Sequence, residues 1–549
     1  MVQFAKWKFN RMLVVGTLTM AVNYVVMLSG SVVVGNLVGA DGLAGINVCM
    51  PVFGGVGFLA SLLSVGTALV FSRAMGAFDA KRAAGVYSQS LMLALVLALL
   101  IFGGMALAEG PFLDLAGVTG SVREQAAHYW RGQTLVLCLT PVVLLVEALV
   151  YADGDGLVAA CAGGVHVVGA IGLSVLFTTL CGHAGGAAFG TALAMLLALL
   201  AAGLHGLRRE NHLRARLHLS WPDLRETLAA SLADSTIYLC WGALVLVVNR
   251  FTVAEFGQDL LPVVALATSV VEFSIVFDGV GEALIAVGGM YAGEENKPAL
   301  RALAGHSALV ATLEGVACGA VLHLLAPEIA GLYGFRGESA PLLAEAVRME
   351  RTLAFAMPFM GLLMMMNTHY LVVRHIPFAV SVTAMKDFVC PCVGVLALGA
   401  PFGPAGVWAG FAAGYAAATA YPFLFVLCRH GRDLFPWLIE RDDGRALDFT
   451  VKLTPDALAA ARARIGEFLN ERDVFETDGV LAAVETAGRA TIAANAHPVR
   501  AEYYVSAEEP GAVRLVLRDS GRPFASPVGK YLNTLGCNRT ECRFDILSR

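Results

Sequence analysis

Apolar segments of twenty or more residues recur along the first 440 positions of this 549-residue chain. A helix of that length crosses a hydrocarbon layer about 30 Å thick, and a helix satisfies its own backbone hydrogen bonds there. The chain is therefore expected to be an α-helical polytopic membrane protein with twelve transmembrane helices. Their approximate spans are 11–39, 42–72, 83–108, 126–152, 157–181, 186–207, 224–254, 261–291, 300–326, 345–373, 378–400 and 405–428.

Charged residues divide the chain into two parts. Overall it is 57% hydrophobic and 15% charged, yet 31 of its 81 charged residues lie in positions 441–549. This distribution predicts a small cytoplasmic α/β domain over residues 445–549, called the tail below, after two membrane domains over 1–220 and 221–440. The net charge of -5 excludes nucleic acid as a partner, and eleven cysteines without a CxxC pair favour neither zinc nor disulfides.

Basic residues in the predicted loops indicate the orientation of the chain. Fourteen of them lie on the side of the chain termini and five on the opposite side. Because Lys and Arg are retained on the cytoplasmic side, both termini are expected in the cytoplasm. The predicted location is a bacterial inner membrane, crossed many times.

A sequence motif recurs at an offset of 215 residues. VGTALVFSRAMGA at 65–77 matches VGEALIAVGGMYA at 280–292 in six of thirteen positions, and each copy is followed by an acidic-then-basic loop. We interpret this as two six-helix repeats of the same topology. Internal repeats of this kind are typical of secondary transporters, in which the substrate site lies between the repeats.

The segments 29–53 and 64–83, and their counterparts at 247–251 and 277–293, resemble the multidrug and toxic compound extrusion (MATE) transporters. The resemblance covers about residues 10–430. It implies a twelve-helix exporter driven by a sodium or proton gradient, in a superfamily that also contains flippases for lipid-linked oligosaccharides. One branch of the family has an aspartate in the first helix, where this chain has Gly30. Two options remain, ion coupling through the C-terminal half, as in other branches of the family, and loss of the coupling.

Acidic residues inside the predicted membrane helices are the candidates for this coupling, because a buried charge is expensive and usually serves a function. Among those in the predicted spans are Glu147, Asp234, Glu272, Asp278, Glu282, Glu314 and Asp387. The coupling candidates are Glu272, Asp278 and Glu282 on the eighth helix, Asp234 on the seventh and Asp387 on the eleventh, with a possible sodium site at Glu272 and Asp278. The alternatives are contacts with loop water or backbone amides for Asp278 and Glu282, a capping or loop-contact role for Asp234, and mutual neutralisation with Lys386 for Asp387.

The tail has alternating and amphipathic patterns that predict strands at 446–453, 500–507, 512–518 and 542–548, and helices at 455–471 and 477–497. Thr454, followed by Pro455, is predicted to cap the first of these helices.

Segments 482–497 and 518–524 resemble the histidine-kinase-like ATPase fold of anti-sigma-factor kinases. The resemblance implies a nucleotide-contacting role for Glu485, Asp519 and Gly521, but Arg489 replaces the family's magnesium-binding Asn and the Gly-rich phosphate segment is missing. The nucleotide site at Asp519 and Gly521 is thus expected to be vestigial, the tail catalytically inactive, and ATP not a cofactor.

The chain is expected to be a transporter rather than an enzyme. The predicted function is sodium- or proton-coupled export of amphipathic, cationic, drug-like molecules by alternating access, without any other cofactor. One alternative is a flippase for a lipid-linked head group. A second is a membrane sensor that acts through its tail. Expected partners are membrane lipids, the small-molecule substrate and a cytosolic protein that binds the tail.

Overall fold

The structure is a computed structural model, and it describes residues 3–115, 119–208, 211–214, 219–257, 260–332, 335, 340–440, 444–472, 477–507, 512–524 and 526–545. Long helices make up the first 434 residues, and a mixed helix and sheet domain follows. The N-terminal half contains α1 Phe4–Leu37, α2 Ala40–Ser61, α3 Ser64–Gly76, α4 Ala80–Leu115, α5 Gly120–Ala152, α6 Gly156–Cys181 and α7 Gly185–Ala202.

The C-terminal half contains α8 Trp221–Phe256, α9 Leu261–Glu272, α10 Asp278–Gly293, α11 Lys297–Leu332, α12 Ala340–Leu353, α13 Met357–Val372, α14 Ile376–Ala384 and α15 Cys390–Leu434. The long α15 leaves helical geometry at Gly403, where φ is 67°, and again at Gly431. Within the described residues, ten segments are long and apolar enough to cross a membrane. The number twelve and the two-repeat layout stay predictions.

Several of the predicted spans are interrupted rather than continuous in the described residues. The span 42–72 breaks between α2 and α3, 261–291 breaks at a 3₁₀ turn over 273–277, and 345–373 breaks at a 3₁₀ turn over 354–356. Pro358 opens α13 directly after the last break, where a missing N–H does no harm. Hydropathy does not register such breaks, because one turn of altered geometry leaves the apolar run unchanged.

Apolar side chains cover the outer surface of the helical part. On α4, Leu99 is 73% exposed and Leu107 is 82% exposed. Exposed leucines on a helix are unfavourable in water but favourable against acyl chains. The packing of these helices therefore fits a membrane solvent.

The tail is a single antiparallel sheet with two helices on one face. Its elements are β1 Ala446–Lys452, α16 Pro455–Asn470, α17 Thr477–Ala494, β2 Arg500–Ser506, β3 Ala512–Asp519, β4 Lys530–Thr534 and β5 Cys537–Asp545. The strand order is β1-β2-β3-β5-β4. The predicted Thr454 cap is confirmed, since its hydroxyl accepts the Ala457 N–H at 3.2 Å.

The β4–β5 hairpin is where the sequence prediction was incomplete. β4 was not predicted, and β5 begins five residues before the predicted 542–548 strand. Leu535 and Gly536 form the turn with φ values of 54° and 63°. Two positive φ values define the type I′ turn that joins short hairpins, but a Leu-Gly pair is a weak signal for it.

Candidate functional site

A cavity of about 190 Å³ lies between the two halves of the helical part. Residues of α1, α2, α3, α5 and α6 line it on one side, and residues of α8, α10 and α13 line it on the other. The α2–α3 break and the 3₁₀ turn before α10 both border this cavity, through Ser61, Ser64 and Ile275. Interrupted helices leave backbone polar groups free, and these are tolerated at membrane depth only beside protein or a polar cavity.

Three carboxylates line the cavity from opposite sides. Glu147 comes from α5, whereas Asp278 and Glu282 lie one turn apart on α10. The Oε1 atom of Glu147 is buried and has no hydrogen-bond partner among the described residues. No Lys or Arg is among the described residues that line the cavity. The lining therefore offers acidic groups that a cation could bind.

The other candidates predicted from the sequence lie elsewhere. Glu272 is the last residue of α9 and is half-buried, but it does not line the cavity with Asp278. Asp387 lies in a π-helical turn over 385–389, and Nζ of Lys386 is 2.6 Å from its carboxylate. This pairing agrees with the mutual neutralisation that was the alternative for Asp387. The side chain of Asp234 lies outside the described residues.

Sequence reasoning missed Glu350 as a candidate. It lies on α12, is fully buried, and neither carboxylate oxygen has a hydrogen-bond partner among the described residues. Arg348 and Arg351 lie beside it in the chain, at the charged start of the predicted span 345–373. Helical periodicity was the available signal, because Ala346, Met349 and Leu353 are buried on the same face.

The two halves touch each other on the side of the cavity that faces the tail. A Cβ at Gly76, at the end of α3, would collide with the Met290 carbonyl and lie 2.9 Å from the Cα of Gly293 on α10. Only glycine allows two helices to approach this closely. α10 thus runs from the cavity at Asp278 to a direct contact with α3 about 22 Å further along its axis.

An ion cluster reinforces this contact between the halves. Arg73 of α3 lies 2.9 Å from Glu226 of α8, and Arg82 of α4 lies 2.8 Å from Asp223. The Arg73 guanidinium also donates to the backbone carbonyl of Val372 at the end of α13. The two halves are therefore held together on the tail side of the cavity.

The predicted nucleotide residues of the tail are occupied by internal hydrogen bonds. The Asp519 carboxylate accepts the Gly521 N–H at 2.8 Å, the Asn538 amide at 2.8 Å and the Thr491 hydroxyl at 3.3 Å. Burial raises the pKa of Asp519, and these donors oppose that rise. The exposed Arg489 pairs with Glu485 at 2.6 Å.

Among the described residues, no group of three or more His, Cys, Asp or Glu side chains is arranged to hold a metal ion. The proposed pairing of Glu272 with Asp278 around sodium therefore stays a prediction.

Comparisons with known proteins bear on the helical part. A solved structure of MATE in complex with MaL6 is 23% identical, with a TM-score of 0.72, and covers 77% of this chain and 96% of that one. The outward-facing conformation of a multidrug resistance MATE family transporter of the MOP superfamily is 24% identical, with the same TM-score and coverage. A MOP superfamily transporter from Pyrococcus furiosus Vc1 (DSM3638), whose binding pocket has reverse polarity, is 24% identical at a TM-score of 0.71, again covering 77% and 96%.

No curated protein matches the chain. At these identities the three structures establish a shared fold. The MatE family model is more specific, because it matches residues 17–176 and 237–376, which together exceed half of the chain. With the long apolar helices, this match shows that the chain belongs to the MatE family and is a multi-pass membrane transporter.

Proposed function

We propose that the chain is a secondary active exporter of amphipathic cations, driven by a sodium or proton gradient. The observation that carries the proposal is the cavity between the halves, with Glu147 on one wall and Asp278 and Glu282 on the other. Alternating access follows if the halves α1–α7 and α8–α15 rock about this cavity. The similar fold of a multidrug resistance MATE family transporter supports the same conclusion.

The chemistry of the exchange rests on the cost of keeping charged carboxylates at membrane depth. A cationic substrate neutralises them on the inner side, and a proton or sodium ion replaces the substrate on the outer side. Each occupant binds the same oxygens, so the two compete. Since Glu147 belongs to one half and Asp278 to the other, opening the cavity on either side changes the distance between the charges.

The orientation proposed here places the tail and both termini in the cytoplasm of a bacterium, with the helices in its inner membrane and in contact with lipid. The positive charge of the loops on the tail side supports it. A flippase would need cations for an anionic head group. The acidic lining of the cavity favours the cation exporter over that alternative.

We propose that the tail is catalytically inactive and that ATP is not a cofactor. The carboxylate that would bind adenine is already engaged by Gly521, Asn538 and Thr491. The remaining surface of the tail, on the helical face of the sheet, is available to a cytosolic protein. A sensor that does not transport would use the same surface, so transport must be measured directly.

The test is efflux of ethidium from drug-hypersensitive cells that express the full chain, with sodium and proton gradients imposed separately. We expect export under one gradient, and its loss in the Asp278→Asn/Glu282→Gln variant. Glu255→Gln is the matched control, because Glu255 is an exposed acid at the end of α8. Absence of dye export under both gradients, at equal expression, would refute the proposal.

A further inference from the structure

The tail is fastened to the C-terminal half by a buried ion network. Arg518 of β3 donates to both carboxylate oxygens of Glu294, at 2.6 and 2.5 Å, and to the Tyr291 hydroxyl at 2.7 Å. Tyr291 in turn donates to Glu502 of β2 at 2.7 Å. Burial raises the pKa of Glu294, but Arg518 and Arg539 outweigh it and hold that pKa below its ordinary value. This network therefore joins the tail directly to α10 and its C-terminal end.

One side chain of this network reaches the other half. Arg539 of β5 is fully buried and pairs with Glu294, while its guanidinium donates to the backbone carbonyls of Met75 at 2.7 Å and Gly76 at 2.8 Å. These carbonyls end α3, where a helix leaves its acceptors unsatisfied and carries partial negative charge. Arg539 thus caps a helix of the N-terminal half while it is paired to the C-terminal half.

The tip of the β4–β5 hairpin enters the same junction. The Leu535 carbonyl accepts a hydrogen bond from Nζ of Lys8 on α1, and Leu535 itself is 3% exposed within the helical core. Gly154, between α5 and α6, has no room for a Cβ because the Leu535 backbone lies against it. Thr534 contacts Met290 of α10, with 3.8 Å between Oγ1 and Sδ. The hairpin therefore contacts both halves.

These contacts lie at the place where the halves meet, beside the Gly76 and Gly293 crossing. Movement of α3 away from α10 would break the bonds of Arg539 to Met75 and Gly76 and expose Leu535, although Arg539 would keep its pairing with Glu294. We propose that the β4–β5 hairpin is a latch, which holds the tail side of the transporter closed and must be released before the cavity opens there. This rests on the proposed alternating access, and it gives the tail a regulatory role in transport.

Binding partners that pull on the tail would act through this latch. The connection needs no nucleotide, because the ion network links α10 to the sheet directly. Most bonds fasten the tail to the C-terminal half, so the separable surface is the one against α1, α3 and the α5–α6 loop.

The test measures the opening of the tail side without substrate. Lys81 and Asp433 are each replaced by a ketone-bearing amino acid, to which a nitroxide spin label is attached. This labelling leaves the native cysteines in place. Both positions are exposed, one at the start of α4 and the other near the end of α15. Electron–electron double resonance on the full chain in lipid nanodiscs then reports the distance between the halves.

We expect one short distance in the unmodified chain and a second, longer one in Arg539→Gln. Loss of charged hydrogen bonds of this kind shifts a two-state equilibrium about tenfold or more. Arg543→Gln is the matched control on the same strand, since Arg543 is 56% exposed on its side chain and pairs with Glu541 at 3.3 Å. It should keep the short distance.

A second variant tests the latch from the helical part, so that the result does not depend on whether a substitution in the tail unfolds the tail. The Phe78 ring lies 4.2 Å from the Arg539 guanidinium and belongs to the α3–α4 loop of the N-terminal half. Phe78→Ala should also populate the longer distance, to a smaller extent. Hydrogen exchange across β2 and β3 shows whether the tail remains folded in each variant.

The latch is refuted if Arg539→Gln keeps only the short distance while its tail is folded. If Arg539→Gln unfolds the tail, the latch is refuted when Phe78→Ala keeps only the short distance. A longer distance in Arg543→Gln as well would also refute it, because the effect would then be one of charge alone. Dye export is a separate readout. If Arg539→Gln shows the longer distance but the unmodified chain exports no cation, the latch is supported and the proposed exporter function is refuted. If the chain exports cations but Arg539→Gln keeps the short distance, the exporter function is supported and the latch is refuted.

Discussion

The interface between the two helical halves and the interface between the tail and the helical part differ in the residues that form them. The halves of the helical part meet through backbone contact at small residues, as at Gly76 and Gly293 and where α1 crosses α10 at Gly16 and Gly279. Ion pairs of Arg73 and Arg82 with α8 add to this contact on the tail side. The tail meets the helical part through buried charges, centred on Arg518, Arg539 and Glu294. Small residues let surfaces slide and separate at little electrostatic cost, whereas an ion pair resists separation in a dry environment. The difference predicts that relative movement occurs at the first interface and that the second interface stays attached.

The largest effect is expected at the ion network. Arg518→Met leaves Glu502 buried without its cation, and removing one partner of a buried pair costs about 3–5 kcal/mol. Docking of the tail on the helical part should be weakened by that amount. The expected measurement is faster hydrogen exchange over β2 and β3. The control Arg522→Met, at an exposed arginine, should exchange as the unmodified chain does. Unchanged exchange in Arg518→Met would show that these charges do not hold the tail.

A smaller loss is expected at the glycine crossing. Gly293→Val places a branched side chain against the Arg73 carbonyl and the Gly76 Cα, and overpacking of this kind costs about 1–3 kcal/mol. The melting temperature of the detergent-purified protein should fall. Gly103→Val on α4, where no atom lies within 4 Å of an added Cβ, is the matched control. Equal melting of both variants would argue against close packing at the crossing.

Thr454→Ala tests the tail apart from its docking. Loss of the hydroxyl that accepts the Ala457 N–H should destabilise α16 by about 1 kcal/mol. Faster exchange confined to the first turn of α16 is the expected signature. Thr486→Ala is the control, because its exposed hydroxyl bonds only to a carbonyl within its own helix. If α16 keeps its protection, the cap has no energetic role.

The smallest effect is expected at the exposed pair of Arg489 and Glu485. A helical pair four residues apart contributes about 0.2–0.5 kcal/mol, so Arg489→Ala should change stability by no more than this. Arg489→Asn restores the residue type that the resemblance to ATPases would require. It should still bind no Mg-ATP in a calorimetric titration, because Asp519 remains engaged by its own neighbours. Binding would show that Arg489 alone disables the site.

The membrane part was predictable because long apolar segments and loop charges act locally. Asp278 and Glu282 were recognised as one face of a helix from their spacing, and both line the cavity. Glu272 was grouped with them on the assumption of a straight helix, but the 3₁₀ turn over 273–277 separates it from that face. Glu147 was visible as a buried acid, yet its position opposite Asp278 depends on how α5 packs against α10.

The tail shows the same limit. Strands β1 to β3, both helices and the Thr454 cap follow from alternation, amphipathicity and a capping residue. β4 was missed, because the polar segment Lys530–Thr534 has neither a strong alternation nor a recognised turn. The resemblance to ATPases points to Asp519, whereas its neighbour Arg518 carries the main contact with the helical part.

The sequence by itself determined a membrane-embedded helical transporter with a charged C-terminal domain, since hydrophobicity and charge set the solvent of each segment without reference to any partner. Only the tertiary structure decided which carboxylates share a cavity, where the halves touch, and that Arg539 joins both halves to the tail. These facts depend on residues hundreds of positions apart. Their energy comes from burial and desolvation created by the packing itself, which no local pattern records.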